Sequence, residues 1–125
     1  MLYDNTYVNI DMDAILANFD AVRSKAKVPV MAIIKADAYG HGAVQIARLL
    51  ESRVAFFGVS GVGEALELRQ SGLEKPILIL GHTPTAAYPQ IVALGIRPAI
   101  FCLEDAELLS KEAVRQRTTA KFHLA

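Results

Sequence analysis

Val28-Pro29-Val30-Met31-Ala32-Ile33-Ile34-Lys35-Ala36-Asp37-Ala38-Tyr39-Gly40-His41-Gly42 is the stretch on which the fold turns. An apolar run, broken once by Pro29, stops at a lysine. A short segment with two glycines comes next, and an amphipathic pattern begins at Gly42. The run is apolar at successive positions, not alternating ones. That suits a strand buried on both faces, as in a parallel sheet. The segment from Lys35 to Gly42 then reads as the connection from a strand into a helix.

Working outward, the same alternation recurs. Residues 55–59, 77–80 and 96–101 are further apolar runs of strand length, and residues 120–124 begin a fifth. Between them lie helical patterns. Residues 42–51 put Val44, Ala47 and Leu50 on one face, and residues 63–70 group Ala65, Leu66 and Leu68 among charged neighbours. Residues 103–114 are rich in Glu and Lys, and a leading helix over residues 13–26 has Asp11 or Asp13 to cap it. Gly72 is placed as a left-handed C-cap, and Thr83-Pro84 reads as an N-cap followed by proline at the first helical position of a helix ended by Gly95. The strand ends recur at intervals of roughly 20 to 25 residues, as βαβ units require.

This order predicts an α/β fold and leaves two architectures open, a doubly wound sheet or an incomplete (β/α) barrel. A closed eight-stranded barrel takes ~250 residues, and 125 residues supply four complete units and one strand. The chain stops inside an apolar strand, and a bare parallel edge is an aggregation hazard. The expectation is that the natural protein continues beyond Ala125.

Hydrophobic residues make up 53% of the chain, a core-forming composition that argues against disorder. Thirteen basic residues balance thirteen acidic ones without a basic stripe, so no nucleic-acid partner is expected. No apolar stretch approaches the ~20 residues of a membrane span. Met1-Leu2-Tyr3-Asp4-Asn5 does not open a signal peptide, and Cys102 has no cysteine to pair with. The chain is expected to be cytoplasmic.

Lys35 is the candidate for chemistry. It sits at the C-terminal end of the first strand, where both architectures build active sites, and an amine there can form a Schiff base. The alternative is a strand-end lysine reaching solvent. Tyr39, four residues on, offers a hydroxyl to an anion, and Gly40 and Gly42 permit close backbone approach. His41 reads as a loop histidine bonded to backbone, and Asp37 as a turn-former. His82 and His123 have no metal-ligand spacing, so no metal site is expected. Gly58, Gly61 and Gly63 fail the dinucleotide fingerprint, whose third glycine falls on Leu66. Cys102 reads as a small buried hydrophobe.

Ile33-Ile34-Lys35-Ala36-Asp37-Ala38-Tyr39-Gly40-His41-Gly42 resembles the pyridoxal 5′-phosphate (PLP) attachment motif of alanine racemases. Asn9-Ile10-Asp11-Met12-Asp13-Ala14-Ile15, Phe57-Gly58-Val59-Ser60 with Glu64-Ala65, Pro76 through Gly81, and Phe122-His123-Leu124 resemble other parts of the same family, so the resemblance covers nearly the whole chain. It implies the N-terminal half of a PLP-binding (β/α)8 TIM-type barrel, truncated in the fifth strand, with the family's C-terminal β domain absent. It further implies that Lys35 carries PLP and serves as the base on one face of the substrate, that Tyr39 bonds the phosphate, and that Ile33 and Leu80 pack near the cofactor ring. The implied reaction interconverts L- and D-alanine, supplying D-alanine for peptidoglycan. In the family the second base is a tyrosine delivered across a homodimer interface from the C-terminal domain, so the 125-residue chain alone is expected to be inactive. Three other readings remain: a racemase of different specificity, a barrel that binds PLP without catalysis, and a free-standing α/β domain with a structural lysine.

Overall fold

A computed structural model describes residues 6–125. The reading of the first five residues as no signal peptide therefore lies outside the described residues. In chain order the elements are α1 (Met12–Ala26), β1 (Met31–Ile33), α2 (Lys35–Gly40), α3 (Ala43–Leu50), β2 (Phe56–Val59), α4 (Val62–Gln70), β3 (Ile77–His82), a 3-10 turn (Thr85–Ala87), α5 (Tyr88–Ala93), β4 (Arg97–Ile100), α6 (Leu103–Arg115) and β5 (His123–Leu124).

The five strands form one sheet in the order β1-β2-β3-β4-β5, and every adjacent pair is parallel. This order excludes the doubly wound alternative, in which the strand order reverses at a switch point. Each crossover advances by one strand in the same direction. Right-handed connections of that kind place all the helices on one face, which is the winding of a (β/α) barrel.

The two faces are correspondingly different. Ile34, Phe57, Val59, Ile77, Ile79 and Ile100 point to the helices and join Ile46, Ala47, Leu50, Leu68, Ile91 and Leu109 in one core. Full burial of such side chains stabilises by ~1.5–3 kcal/mol each. The alternate residues face away. Strand register places Ile33 beside Gly58, Gly58 beside Leu78, and Leu78 beside Arg97. On this face Arg97 lies over the Phe56 ring at 4.5 Å, and the His123 ring meets Phe56 edge-on at 6.0 Å.

Local chemistry explains most boundaries. Asp11, not Asp13, caps α1, its carboxylate accepting from the Ala14 amide at 3.0 Å. Gly72 (φ +85°) and Gly95 (φ +62°) end α4 and α5 in the left-handed region, where a Cβ is costly. Two expectations are corrected. Thr83 does not cap a helix: it is 2% exposed, its Oγ1 has no hydrogen-bond partner among the described residues, and a 3-10 turn intervenes before α5, which takes Pro89 at its start. Cys102 is not a buried hydrophobe but an exposed residue at the N-cap of α6, because the strand before it ends at Ile100 and the chain has already turned outward.

Candidate active site

Beyond Lys35 the chain does not form the open loop that its glycines suggest. Ala36, Asp37, Ala38 and Tyr39 have φ between 51° and 57° and ψ between 36° and 52°, a full left-handed helical turn of non-glycine residues. Each such residue costs roughly 1–2 kcal/mol against its right-handed form, so the surroundings must hold the turn in place. The Ala38 amide donates to the Ile34 carbonyl at 2.9 Å, and the Gly42 amide to the Asp37 carbonyl at 2.9 Å. The Asp37 carboxylate accepts from the Ala43 amide at 2.7 Å, capping α3, and His41 Nδ1 lies 2.9 Å from the Ala38 carbonyl. His41 is thus bonded to backbone within the turn, and Asp37, a residue of the turn, is bonded to the helix that follows it.

Glu64 fixes the turn from outside. Its Oε1 accepts from the Ala36 amide at 2.8 Å, while Oε2 accepts from the Ser60 amide at 2.6 Å and the Ser60 hydroxyl at 2.8 Å. Burial pushes the Glu64 carboxyl up, but the hydrogen bonds from Ser60 and Ala36 outweigh it and hold the group below its ordinary value. In the sequence Glu64 reads only as a charged residue of the helical pattern over residues 63–70 and as part of the resemblance. A signal was present: Glu64 is the third residue of α4, the position from which a carboxylate reaches back to amides ahead of a helix.

Lys35 stands between this turn and β1, partly exposed at the C-terminal end of the strand. Ile33 (39% exposed) and Leu80 (38%) lie on the sheet face turned away from the helices, and Gly58 brings them together. A Cβ built on Gly58 would lie 2.5 Å from Ile33 Cδ1 and 3.5 Å from Leu80 Cδ1, so the two side chains converge over a position that has none. Gly81 brings the neighbouring strand end close in another way, its added Cβ falling 2.5 Å from the Ser60 carbonyl oxygen. Tyr39 is exposed on the left-handed turn. His82, at the end of β3, lies 3.8 Å from the Asp105 carboxylate and tilts against Phe101 at 6.4 Å, apart from the Lys35 turn. Lys35 thus follows the end of β1, the Ile33–Leu80 pair meets over Gly58 near the ends of β1 and β3, and Tyr39 is exposed four residues beyond Lys35.

A parallel sheet wound in one direction defines a domain of the (β/α)-barrel class, and Lys35 stands at the strand end where barrels of that class build their active sites. Residues 10–125 match the alanine racemase N-terminal domain, and the chain belongs to that family. It is 42% identical over 122 residues to alanine racemase 1 of Caldanaerobacter subterraneus subsp. tengcongensis, covering 95% of this chain and 31% of that protein. Among solved structures, alanine racemase from Bacillus anthracis with bound L-Ala-P superposes with a TM-score of 0.86 at 31% identity, covering 97% of this chain and 32% of that one. Histidine racemase from Leuconostoc mesenteroides subsp. sake superposes at 0.82 with 26% identity, covering 89% and 30%. The chain thus spans about a third of the length of the relatives it matches, 31% of the first, and its fold is part of a TIM-type barrel. The family is PLP-dependent.

Proposed function

We propose that this chain is the N-terminal part of the barrel domain of a PLP-dependent alanine racemase, and that Lys35 holds the cofactor. The observation that carries this reading is the position of Lys35, at the C-terminal end of β1 and at the start of a left-handed turn anchored on both sides. The residues present suit the group. An amine can take an aldehyde, the Ile33–Leu80 pair offers an apolar surface to a flat ring, and Tyr39 offers a hydroxyl to a phosphate. When bound, PLP supplies the electron sink without which an amino acid's Cα proton is too weakly acidic for a side chain to remove. Lys35 then moves that proton on one face of the substrate.

Membership of the family implies the rest. The substrate is alanine, the product D-alanine serves peptidoglycan, and the working enzyme is a cytoplasmic homodimer that completes each site across its interface. Among the described residues no helix is long and apolar enough to cross a membrane. Racemisation needs a base on each face, and this chain, at 31% of a relative's length, is expected to have negligible activity alone. Turnover of alanine by the 125-residue chain would overturn that expectation.

The test of the cofactor assignment is chemical trapping: incubation with PLP, borohydride reduction and peptide mapping. One stoichiometric adduct on Lys35 supports it. Equal labelling of Lys25, Lys27, Lys75, Lys111 and Lys121 counts against it. A second reading keeps the chemistry and changes the substrate, and the superposition on a histidine racemase at 0.82 favours giving it weight.

A further inference from the structure

We infer that Glu64 is a positioning residue for Lys35, a role that rests on the reading of Lys35 as the PLP-bearing amine. The lysine is the last residue before four left-handed positions, and such a turn does not hold itself in place. On one side Asp37 fastens it to α3 through the Ala43 amide. On the other, the first amide after Lys35, that of Ala36, is held by Glu64 Oε1 at 2.8 Å, while Oε2 is held by both donors of Ser60. One carboxylate thereby ties the strand end that carries the lysine to the loop after β2. That same loop presents the Ser60 carbonyl to the Gly81 amide at 3.2 Å. The three strand ends β1, β2 and β3 are therefore linked in sequence through Glu64 and Ser60.

The role asks for a carboxylate. Three donors converge on two oxygens, and an amide in its place would turn a donor toward a donor on one side. Glu64 is not assigned contact with any reacting atom. It acts through the backbone that aims Lys35, and loss of aim costs rate without loss of the amine.

The experiment compares the whole protein with Glu64→Gln and Ser60→Ala, using PLP as the probe. Lys35 labelling is measured at sub-saturating PLP by reduction and peptide mapping, with the other lysines as internal controls. Each protein is checked for folding by thermal unfolding without PLP. The expected result is a loss of about tenfold in the rate of Lys35 labelling in Glu64→Gln, a smaller loss in Ser60→Ala, and unchanged labelling elsewhere. Because the role needs an ionised Glu64, the difference in Lys35 labelling between the parent and Glu64→Gln should narrow as pH falls and Glu64 protonates. If Glu64→Gln does not fold, Ser60→Ala decides. Selective Lys35 labelling that is the same in the parent and in every folded variant overturns the positioning role and leaves the cofactor reading intact. Absence of selective labelling in the parent overturns the cofactor reading for this chain, and the inference with it.

Discussion

The carboxylate of Asp37 accepts from the amide of Ala43 at 2.7 Å, across six residues and a change of helical hand. A residue inside a left-handed turn thus supplies the cap of the right-handed helix after it. Asp37→Ala should lower stability by about 1 kcal/mol, the usual value of an N-cap, and Asp37→Asn should restore most of it. Denaturant unfolding gives the answer as a shifted midpoint with an unchanged slope. A neutral Asp37→Ala would mean that the bond does not hold the turn.

Gly58 and Gly81 should respond unequally to a methyl group. At Gly58 the added Cβ meets the tips of flexible side chains, Ile33 Cδ1 and Met31 Sδ, which can give way, so Gly58→Ala should cost about 1 kcal/mol and disturb the Ile33–Leu80 convergence. At Gly81 it meets the Ser60 backbone oxygen at 2.5 Å, which cannot swing aside. Gly81→Ala should therefore cost more, on the order of 2–3 kcal/mol. Comparison of the two thermal transitions checks the order, and equal shifts would contradict the geometry.

Ala36 and Ala17 make a paired test of handedness. Ala17 lies exposed in α1, and Ala17→Gly should destabilise by about 1 kcal/mol. Ala36 is exposed at φ 51°, and Ala36→Gly should stabilise, because relief of about 1–2 kcal/mol exceeds the extra entropy of the unfolded glycine. Opposite signs for one chemical change are the expected outcome. A destabilising Ala36→Gly would reject the left-handed assignment.

Glu64 should contribute to acid sensitivity. Its hydrogen bonds depress the folded-state pKa below the unfolded one, despite burial acting the other way. A depressed carboxyl contributes stability that is present above the unfolded pKa and is lost as pH falls through the folded value. The stability difference between the protein and Glu64→Gln should therefore be full near pH 6 and shrink below about pH 4. Urea titrations at a series of pH values measure it, and a constant difference would show that the charge is not what matters.

The parts of this fold that were legible in the sequence are those governed by periodicity and single-residue backbone rules. The apolar run before Lys35, its four successors, and Gly72 and Gly95 at helix ends all read directly, and strand order then decided between the two windings they allowed. The left-handed turn was not legible. Ala36, Ala38 and Tyr39 carry no local preference for that region, and the bonds that hold it run to Glu64 and to Ala43, outside the turn. Thr83 failed as a cap for a related reason: the cap pattern is local, whereas its burial depends on packing. Position alone singled out Lys35 as a candidate; the place of Glu64 in the first turn of α4 hinted at a bond to nearby amides, but not at one to Ala36, 28 residues away.

The turn after Lys35 also has a stereochemical consequence. Four residues of one hand are wound in the sense natural to the other. A semisynthetic chain with the mirror-image alanine at position 36 alone would rest in its preferred well there, while its neighbours stayed strained. Chirality at that single carbon would then read out, through folding stability, how firmly the protein holds the backbone that presents its lysine.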